Sequence, residues 1–447
     1  MTPEIRNDKP HRVEKPFFTF GTLTLLIFMG IGYAFGITRM VLGLGAVTNL
    51  DNHNPWGIWI SFDVACGVAL AAGGFTTAAL VEIFGRWKYK ALLRPALLTA
   101  YLGYLWVAIA LSFDLGRYWN MWRPIFHWQG NSVLFEVGMC VTFYLMVLTV
   151  EMSPSILEGL KARIDQGGWG STLLRRVEKP ILALQAGVRI VLPMLIVAGV
   201  VLSFMHQSSL GTLMLIAPTK LSPLWDTPIL PVLFLLSAIM VGFPMVILES
   251  IYANISFGRS PEMELLTPLA SKIPWFLGAY GVVKIGDLVV RHNQLNLLEH
   301  PAATTSLVIE ILLGVVAPFL LFLNKAVRRS MGWLFFTVSL IIFGVVLNRI
   351  NVFLVGYNPP YSTKAYFPSI GEIAMTVAIV SSILFCYRFF VTFFPILPGY
   401  VPATEEQLAR MREEREKTVS PFWTWVIRGC AIAFLLGFIA LYNLVHF

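Results

Sequence analysis

The sequence predicts an all-α integral membrane protein with 10–11 transmembrane helices. Three observations predict it. Of the 447 residues, 57% are hydrophobic and only 13% are charged. The mean hydropathy is +0.72. Long apolar runs recur along most of the chain. A soluble domain carries about 25% charged residues, so the deficit alone excludes that class.

A helix needs about 20 apolar residues to cross the hydrocarbon. Runs of that length fall at 17–44, 56–84, 92–115, 131–152, 180–204, 229–253, 273–290, 303–323, 332–354, 370–394 and 421–445. Glycine and proline inside them are compatible with membrane helices, whose neighbours re-satisfy the freed backbone groups. Residues 1–16 form a basic tail, 17–397 the helical membrane domain, and 403–447 a charged segment plus the eleventh run. No cleavable signal peptide is expected, because the tail is polar and the first apolar run exceeds the length of a signal core.

Lys and Arg in short loops set orientation. Arg6, Lys9, Arg12 and Lys15 precede the first run, and Arg86, Lys88, Lys90 and Arg94 lie between the second and third. Lys161, Arg163, Arg175, Arg176 and Lys179 lie between the fourth and fifth, and Lys325, Arg328 and Arg329 between the eighth and ninth. The alternate loops 45–55, 205–228 and 355–369 are nearly free of positive charge. The N-terminus is therefore expected in the cytoplasm of a bacterial inner membrane, and loops 115–130 and 205–228 at the periplasmic face. The formal charge of +8 reports this orientation and membrane-lipid contact, and no nucleic-acid partner is expected.

A weak repeat relates spans 2–5 to spans 6–9. Span two ends in AALVE at Glu82 and span six in MVILE at Glu249. Asp114-Leu-Gly-Arg117 closes span three, and Asp287-Leu-Val-Val-Arg291 closes span seven. Glu136 and Glu310 open spans four and eight, and Arg189 and Arg349 lie in spans five and nine. Equal orientation makes this a parallel repeat of two four-helix bundles, with the remaining spans flanking them.

Cys66, Cys140, Cys386 and Cys430 are isolated within apolar runs and read as packing residues. They lack the spacing of iron–sulfur or zinc ligands, so no metal site is expected. All seven histidines are read as lying in loops or at span ends, which argues against a bis-histidine haem. No Walker or dinucleotide-binding glycine pattern is present in a strand–helix context.

The stretch from Trp106 to Glu136 holds Asp114, Arg117, Tyr118, His127, Asn131 and Glu136 near the outer face. Span two opens with Trp56 and Trp59, three apart on one helix face, and Asp63 about two turns inside. An intramembrane carboxylate needs a cation, a proton or a cavity, so Asp63 is a candidate functional group. The tryptophans admit a second reading, an interfacial aromatic belt. Asp114 and Arg117 admit an intrahelical ion pair. His206, next to Gln207 in a Met-His-Gln-Ser-Ser segment read as a loop, admits a helix cap. Together these groups suit a flat quinone head: rings bracket it, polar donors hold its carbonyl oxygens, and Asp63, Glu136 or His206 handles protons. A second set, Glu82, Glu151, Glu249, Lys284, Asp287, Glu310, Arg349 and Glu372, fits a proton path through the membrane. Glu82, Glu151 and Glu249 also lie near span ends, where they reach water.

The motifs Val41-Leu-Gly-Leu-Gly45, Pro55-Trp-Gly-Ile-Trp-Ile-Ser-Phe-Asp63, Arg94-Pro-Ala-Leu-Leu98 and Asp114-Leu-Gly-Arg-Tyr-Trp-Asn120 carry a resemblance. So do Asn131-Ser-Val-Leu-Phe-Glu136, Met205-His-Gln-Ser-Ser-Leu-Gly211, Pro223-Leu-Trp225 and Tyr366-Phe-Pro368. The chain resembles the polysulfide-reductase, NrfD-like membrane subunits, and within them the HybB type of nickel–iron hydrogenase. The resemblance implies two four-helix bundles and no haem or iron–sulfur cluster of the chain's own. It implies a menaquinone or ubiquinone site near the periplasmic face, carried by Asp63, Arg117, Tyr118, His127, Asn131, Glu136 and His206. It implies a periplasmic four-cluster ferredoxin-like iron–sulfur subunit as electron partner. The extra segment 403–447 departs from the HybB type, so the enzyme beyond that partner stays open among a nickel–iron hydrogenase, a multihaem cytochrome c and another periplasmic redox enzyme. Two other functions fit parts of the pattern: a secondary transporter built on a parallel repeat, and a passive membrane anchor.

Overall fold

The computed structural model describes residues 4–166, 178–216, 219–291, 301–360 and 366–402. The eleventh run and the charged stretch before it lie outside the described residues. Among the described residues, ten helices are long and apolar enough to cross a membrane. They are α1 Phe20–Leu42, α2 Trp59–Ile83, α3 Trp87–Asp114, α4 Val133–Ala162, α5 with its apolar part Met194–Leu215, α6 Leu230–Ser256, α7 Met263–Val290, α8 Pro301–Leu323, α9 Met331–Val355 and α10 Ile370–Phe393.

The helices close into two groups of four. In the first, α2 packs on α3, α3 on α4, α4 on α5, and α5 returns to α2. In the second, α6, α7, α8 and α9 close in the same order. The groups meet where α6 lies against α2 and α5, and where α9 lies against the start of α2. These central helices read as near-continuous apolar sequence because they are covered on all sides. Outside the bundles, α10 packs on α1, α3 and the start of α2. This is the all-α architecture that the sequence predicts.

Small residues set how closely the helices approach. Gly314 of α8 and Gly344 of α9 meet backbone to backbone, so a methyl on either would overlap the other's Cα. The buried face of α1 is Thr22, Gly32, Gly36 and Arg39, with the last three at helical spacing. Gly32 abuts Ala374 and Ala378 of α10, and Gly36 abuts Phe113 and Met375. Arg39 continues that face into the protein.

Two departures from the sequence reading concern the ends. The N-terminal tail is not simply a solvated basic segment: β1, Glu4–His11, pairs antiparallel with β2, Leu397–Pro402. The tail is fastened further by Val13 N–H to the Val391 carbonyl at 3.0 Å and by Arg388 to the carbonyls of Pro16 and Phe17. At this basic end Arg94 also holds Glu158 through two bonds, at 2.7 and 3.1 Å, joining α3 to α4. The second departure is α5, which continues to Leu215. The segment 205–215 is therefore helix rather than loop, because its apolar and small residues pack inside the first bundle.

Gly344→Val is expected to destabilise the chain by about 1–3 kcal/mol, the usual cost of overpacking. Gly30→Ala, with nothing within 4 Å, is expected to leave stability unchanged. Thermal melts of the purified chain in detergent compare the two.

Candidate functional site

The group nearest the expected site lies at the end opposite the basic one, where α1, α2, α3 and α10 converge. The start of α2 is not a regular α-helix: Trp59–Cys66 is π-helical. Such bulges recur at functional sites because they re-aim side chains. Trp56 precedes the helix altogether and packs half-buried against Phe353 and Tyr357. Trp59 is 2% exposed, and its Nε1 donates to the Glu372 carbonyl at 3.0 Å. The two tryptophans therefore do not share a face, which corrects the helical-spacing argument.

Asp63 is buried, and its Oδ2 accepts from Thr376 Oγ1 of α10 at 2.8 Å. Among the described residues its Oδ1 has no partner. Asp114, at the end of α3, is also buried with an unpartnered Oδ1. The cation beside it is Arg39, not Arg117. Arg39 is 1% exposed, donates to the Leu115 carbonyl, and lies 5.1 Å from the centre of the Tyr118 ring. Its charge opposes that of Asp114. Its Nε is a further buried donor without a partner among the described residues. Tyr33, Trp106 and Phe113 pack around this group with Trp59 and Met375.

Glu372 fixes the frame. It caps α10 reciprocally with Ser369 and accepts from the backbone N–H of Asn49 at 3.0 Å. Tyr366 donates to its carboxylate and accepts from the Ile58 N–H at 3.0 Å. Glu372 thus sits at the site end beside Trp59, away from the carboxylates of the basic end with which the sequence grouped it.

The other expected residues separate into different places. His206 and Gln207 are fully buried inside α5, in the first bundle. His206 Nδ1 meets Tyr104 Oη at 3.2 Å, and Gln207 Nε2 donates to the Val68 carbonyl at 2.9 Å. His206 Nε2 and Gln207 Oε1 lack partners among the described residues. The loop and capping readings of His206 are corrected, and with them one premise of the argument against haem, that no histidine lies within a span. Glu136 is exposed and accepts from Ser209 Oγ at 2.6 Å, one turn from His206. Arg117, His127 and Asn131 are exposed on the connection after α3, and none of them is hydrogen-bonded to Asp63.

The expected proton-path residues also divide. Glu151 is buried on α4 against Gly199 of α5. Glu82 is half-buried in a π-helical turn, Ala79–Ile83. Glu249 accepts from Tyr387 Oη at 2.9 Å and lines a small cavity at the basic end with Ser250, Asn254 and Glu262. Asp287 is committed elsewhere: it pairs with Arg291 at 2.7 Å and accepts from Thr227, while Arg291 holds the carbonyls of Pro223 and Asp226. Lys284, Glu310 and Arg349 are buried together in the second bundle.

Sequence reasoning missed Arg39, Tyr33, Tyr104 and Thr376. Arg39 carried a signal, since an arginine inside an apolar run is costly wherever it lies. Tyr104 and Thr376 carried none, because a hydroxyl in a span is ordinary.

Residues 46–360 match the family model described as polysulphide reductase, NrfD. A protein of Nitratidesulfovibrio vulgaris Hildenborough is 38% identical over 401 residues, covering 87% of this chain and 98% of its own length. A probable Ni/Fe-hydrogenase 2 b-type cytochrome subunit of Escherichia coli K12 is 32% identical over 393 residues, covering 86% of this chain and 93% of itself. The integral membrane subunit of menaquinone reductase from Nitratidesulfovibrio vulgaris Hildenborough is 30% identical over 187 residues, 42% of this chain and 41% of that one. The family match runs through both bundles and the start of α2, and on that ground the chain belongs to the polysulphide reductase NrfD family of multi-pass membrane subunits.

Proposed function

We propose that the chain is the quinone-interacting subunit of a respiratory oxidoreductase facing the periplasm, in a bacterial inner membrane with the basic end in the cytoplasm. The observation that carries this reading is the group of Asp63, Asp114 and Arg39, buried among aromatic rings, with three polar atoms lacking protein partners among the described residues. Burying such atoms unpaired costs about 1–3 kcal/mol each, so the arrangement suits a ligand that brings its own carbonyls or hydroxyls. Quinone reduction takes up two electrons and two protons per molecule.

In this reading Trp59, pinned by the Glu372 carbonyl, supplies a flat apolar wall. Arg39 offers donors to a carbonyl oxygen. Asp63 holds or releases a proton at Oδ1 while Thr376 keeps its other oxygen in place. Protons reach the site through the first bundle, where Glu136, Ser209, His206, Tyr104, Tyr144 and Glu151 make a polar line. Glu82 and Glu249 serve the basic end of the path. Electrons come from an iron–sulfur partner of the four-cluster ferredoxin type. Its docking face is the exposed connection carrying Arg117, His127 and Asn131, next to Tyr118. The similarity to a hydrogenase subunit and to a menaquinone reductase subunit supports partners of that redox class.

Asp63→Asn is expected to slow quinone turnover of the native complex by about 100-fold or more, the usual contribution of a positioned acid or base. Unchanged turnover in the assembled complex removes Asp63 from the site. Arg39→Gln is expected to weaken binding of a menaquinone analogue about tenfold, or about 1.4 kcal/mol, in a tryptophan-quenching titration. His206→Ala, on α5 in the interior of the first bundle, is expected to lower kcat while leaving KM for quinone unchanged. A rise in KM instead would bring His206 into the binding site.

A further inference from the structure

The basic end gathers cations that no carboxylate meets. Lys15, in the tail before α1, and Arg388, near the end of α10, are both half-buried. Among the described residues neither makes an ion pair. Acidic groups of this end are held by others: Glu14 by Arg12 at 3.6 Å, Glu158 by Arg94 at 2.7 Å, and Glu262 by Ser250 Oγ at 2.7 Å. Two separate contacts bring the cations to one place, the turn after α6. The Arg388 guanidinium lies 5.7 Å from the centre of the Phe257 ring. Lys15 Nζ lies against Gly258, 2.9 Å from where a Cβ would stand. Gly258 is exposed with φ 67°, so no side chain covers the turn.

Donors remain free at this place. Arg388 spends Nε on the Phe17 carbonyl at 3.1 Å and Nη2 on the Pro16 carbonyl at 2.7 Å. Among the described residues its Nη1 and Lys15 Nζ make no hydrogen bond. Arg259 follows Gly258, donates to the Pro398 carbonyl and adds to the positive field. Beside the cations the surface is apolar. Phe17 packs on Phe18 and on Phe385 of α10, with ring centres 5.2 Å apart in each case. Phe18 and Phe20 are 76% and 87% exposed, and Phe389, 6.1 Å from Phe17, is exposed as well. These rings stand where α1 begins and α10 ends, at the boundary of the spanning part. Cations set over exposed rings at that level match a lipid headgroup and its chain. A soluble anion would meet the cations and leave the rings uncovered.

We propose that Lys15, Arg388 and the Phe257–Gly258 turn bind the phosphate of an anionic phospholipid, whose acyl chain lies along Phe18, Phe20 and Phe389. The site is independent of the quinone reading. It joins three segments that are distant in the chain: the tail, the end of α6 and the end of α10. A bound lipid therefore fastens the tail and the start of α1 to the core, and stabilises the folded chain by mass action.

The test uses the full-length chain, purified in a neutral detergent and titrated with dioleoylphosphatidylglycerol or dioleoylphosphatidylcholine. Native mass spectrometry counts the bound lipid. The wild type is expected to bind the anionic lipid about tenfold more tightly than the zwitterionic one. Lys15→Gln is expected to weaken binding of the anionic lipid about fivefold, the worth of one cation beside an anionic headgroup. Lys15→Gln with Arg388→Gln is expected to abolish the preference. Lys15 makes no hydrogen bond among the described residues, so the single variant keeps the fold even where the double one does not. Lys88→Gln with Lys90→Gln is the control. It removes two charges from another exposed turn of this end, where the lysines lie 4.8 and 5.3 Å from the ring centres of Tyr89 and Trp87, and it is expected to keep the preference. Equal affinity of the wild type for the two lipids overturns the proposal. So does an unchanged preference in Lys15→Gln, or an equal loss in the Lys88 and Lys90 control. Glycerol 3-phosphate binding as tightly as the anionic lipid overturns it in favour of a soluble phosphate.

Discussion

The carboxylate of Glu372 ties together the parts on which the site depends. It accepts hydrogen bonds from the Asn49 backbone and from Tyr366, it caps α10 with Ser369, and its own main-chain carbonyl holds Trp59. Tyr366 then holds the N–H of Ile58, the residue just before α2. One side chain thereby fixes the connection after α1, the entry of α2 and the start of α10. A buried carboxylate with this many donors is satisfied and structural. Asp63 and Asp114 differ in that each keeps an oxygen without a protein partner among the described residues, which is why the proposed reading gives them the chemistry.

The same contrast organises the rest of the interior. The translocon scale puts an ionisable side chain at mid-helix at about 2.5–3.5 kcal/mol. The chain meets that cost by distributing partners unevenly. Asp287 with Arg291 and Arg94 with Glu158 are closed pairs that fasten loops and helix ends. Arg39 and Arg349 are cations held by carbonyls, hydroxyls, an amide and aromatic faces, without a carboxylate in direct contact. Closed pairs hold position.

The two bundles repeat one connectivity but spend their polar groups differently. In the first, polar atoms of α3, α4 and α5 face one another around Tyr104, Tyr144 and His206. In the second, a lysine, a glutamate and two asparagines are hydrogen-bonded to one another. The π-helical turns at Trp59–Cys66 and Asn351–Val355 lie where the bundles meet. A parallel repeat supplies a common scaffold, and local backbone irregularity lets each half carry its own chemistry.

The sequence by itself determined the membrane class, the ten spans within the described residues, the two-bundle arrangement and the presence of a carboxylate, Asp63, inside a span. All of these follow from length, hydropathy and the cost of a carboxylate in hydrocarbon, which are local properties. Only the tertiary structure decided who partners whom. Arg39 comes within electrostatic reach of Asp114 because Gly32 and Gly36 let α1 close on α10 and α3, a packing relation that no spacing rule encodes. Glu372 belongs to the site because α10 begins beside α2. His206 moved from loop to bundle core because the polar run Met-His-Gln-Ser-Ser is covered by Tyr104 and Val68, whose proximity exists only after α2, α3 and α5 have packed. Hydropathy records what each residue would lose by leaving water. It does not record which neighbour compensates that loss.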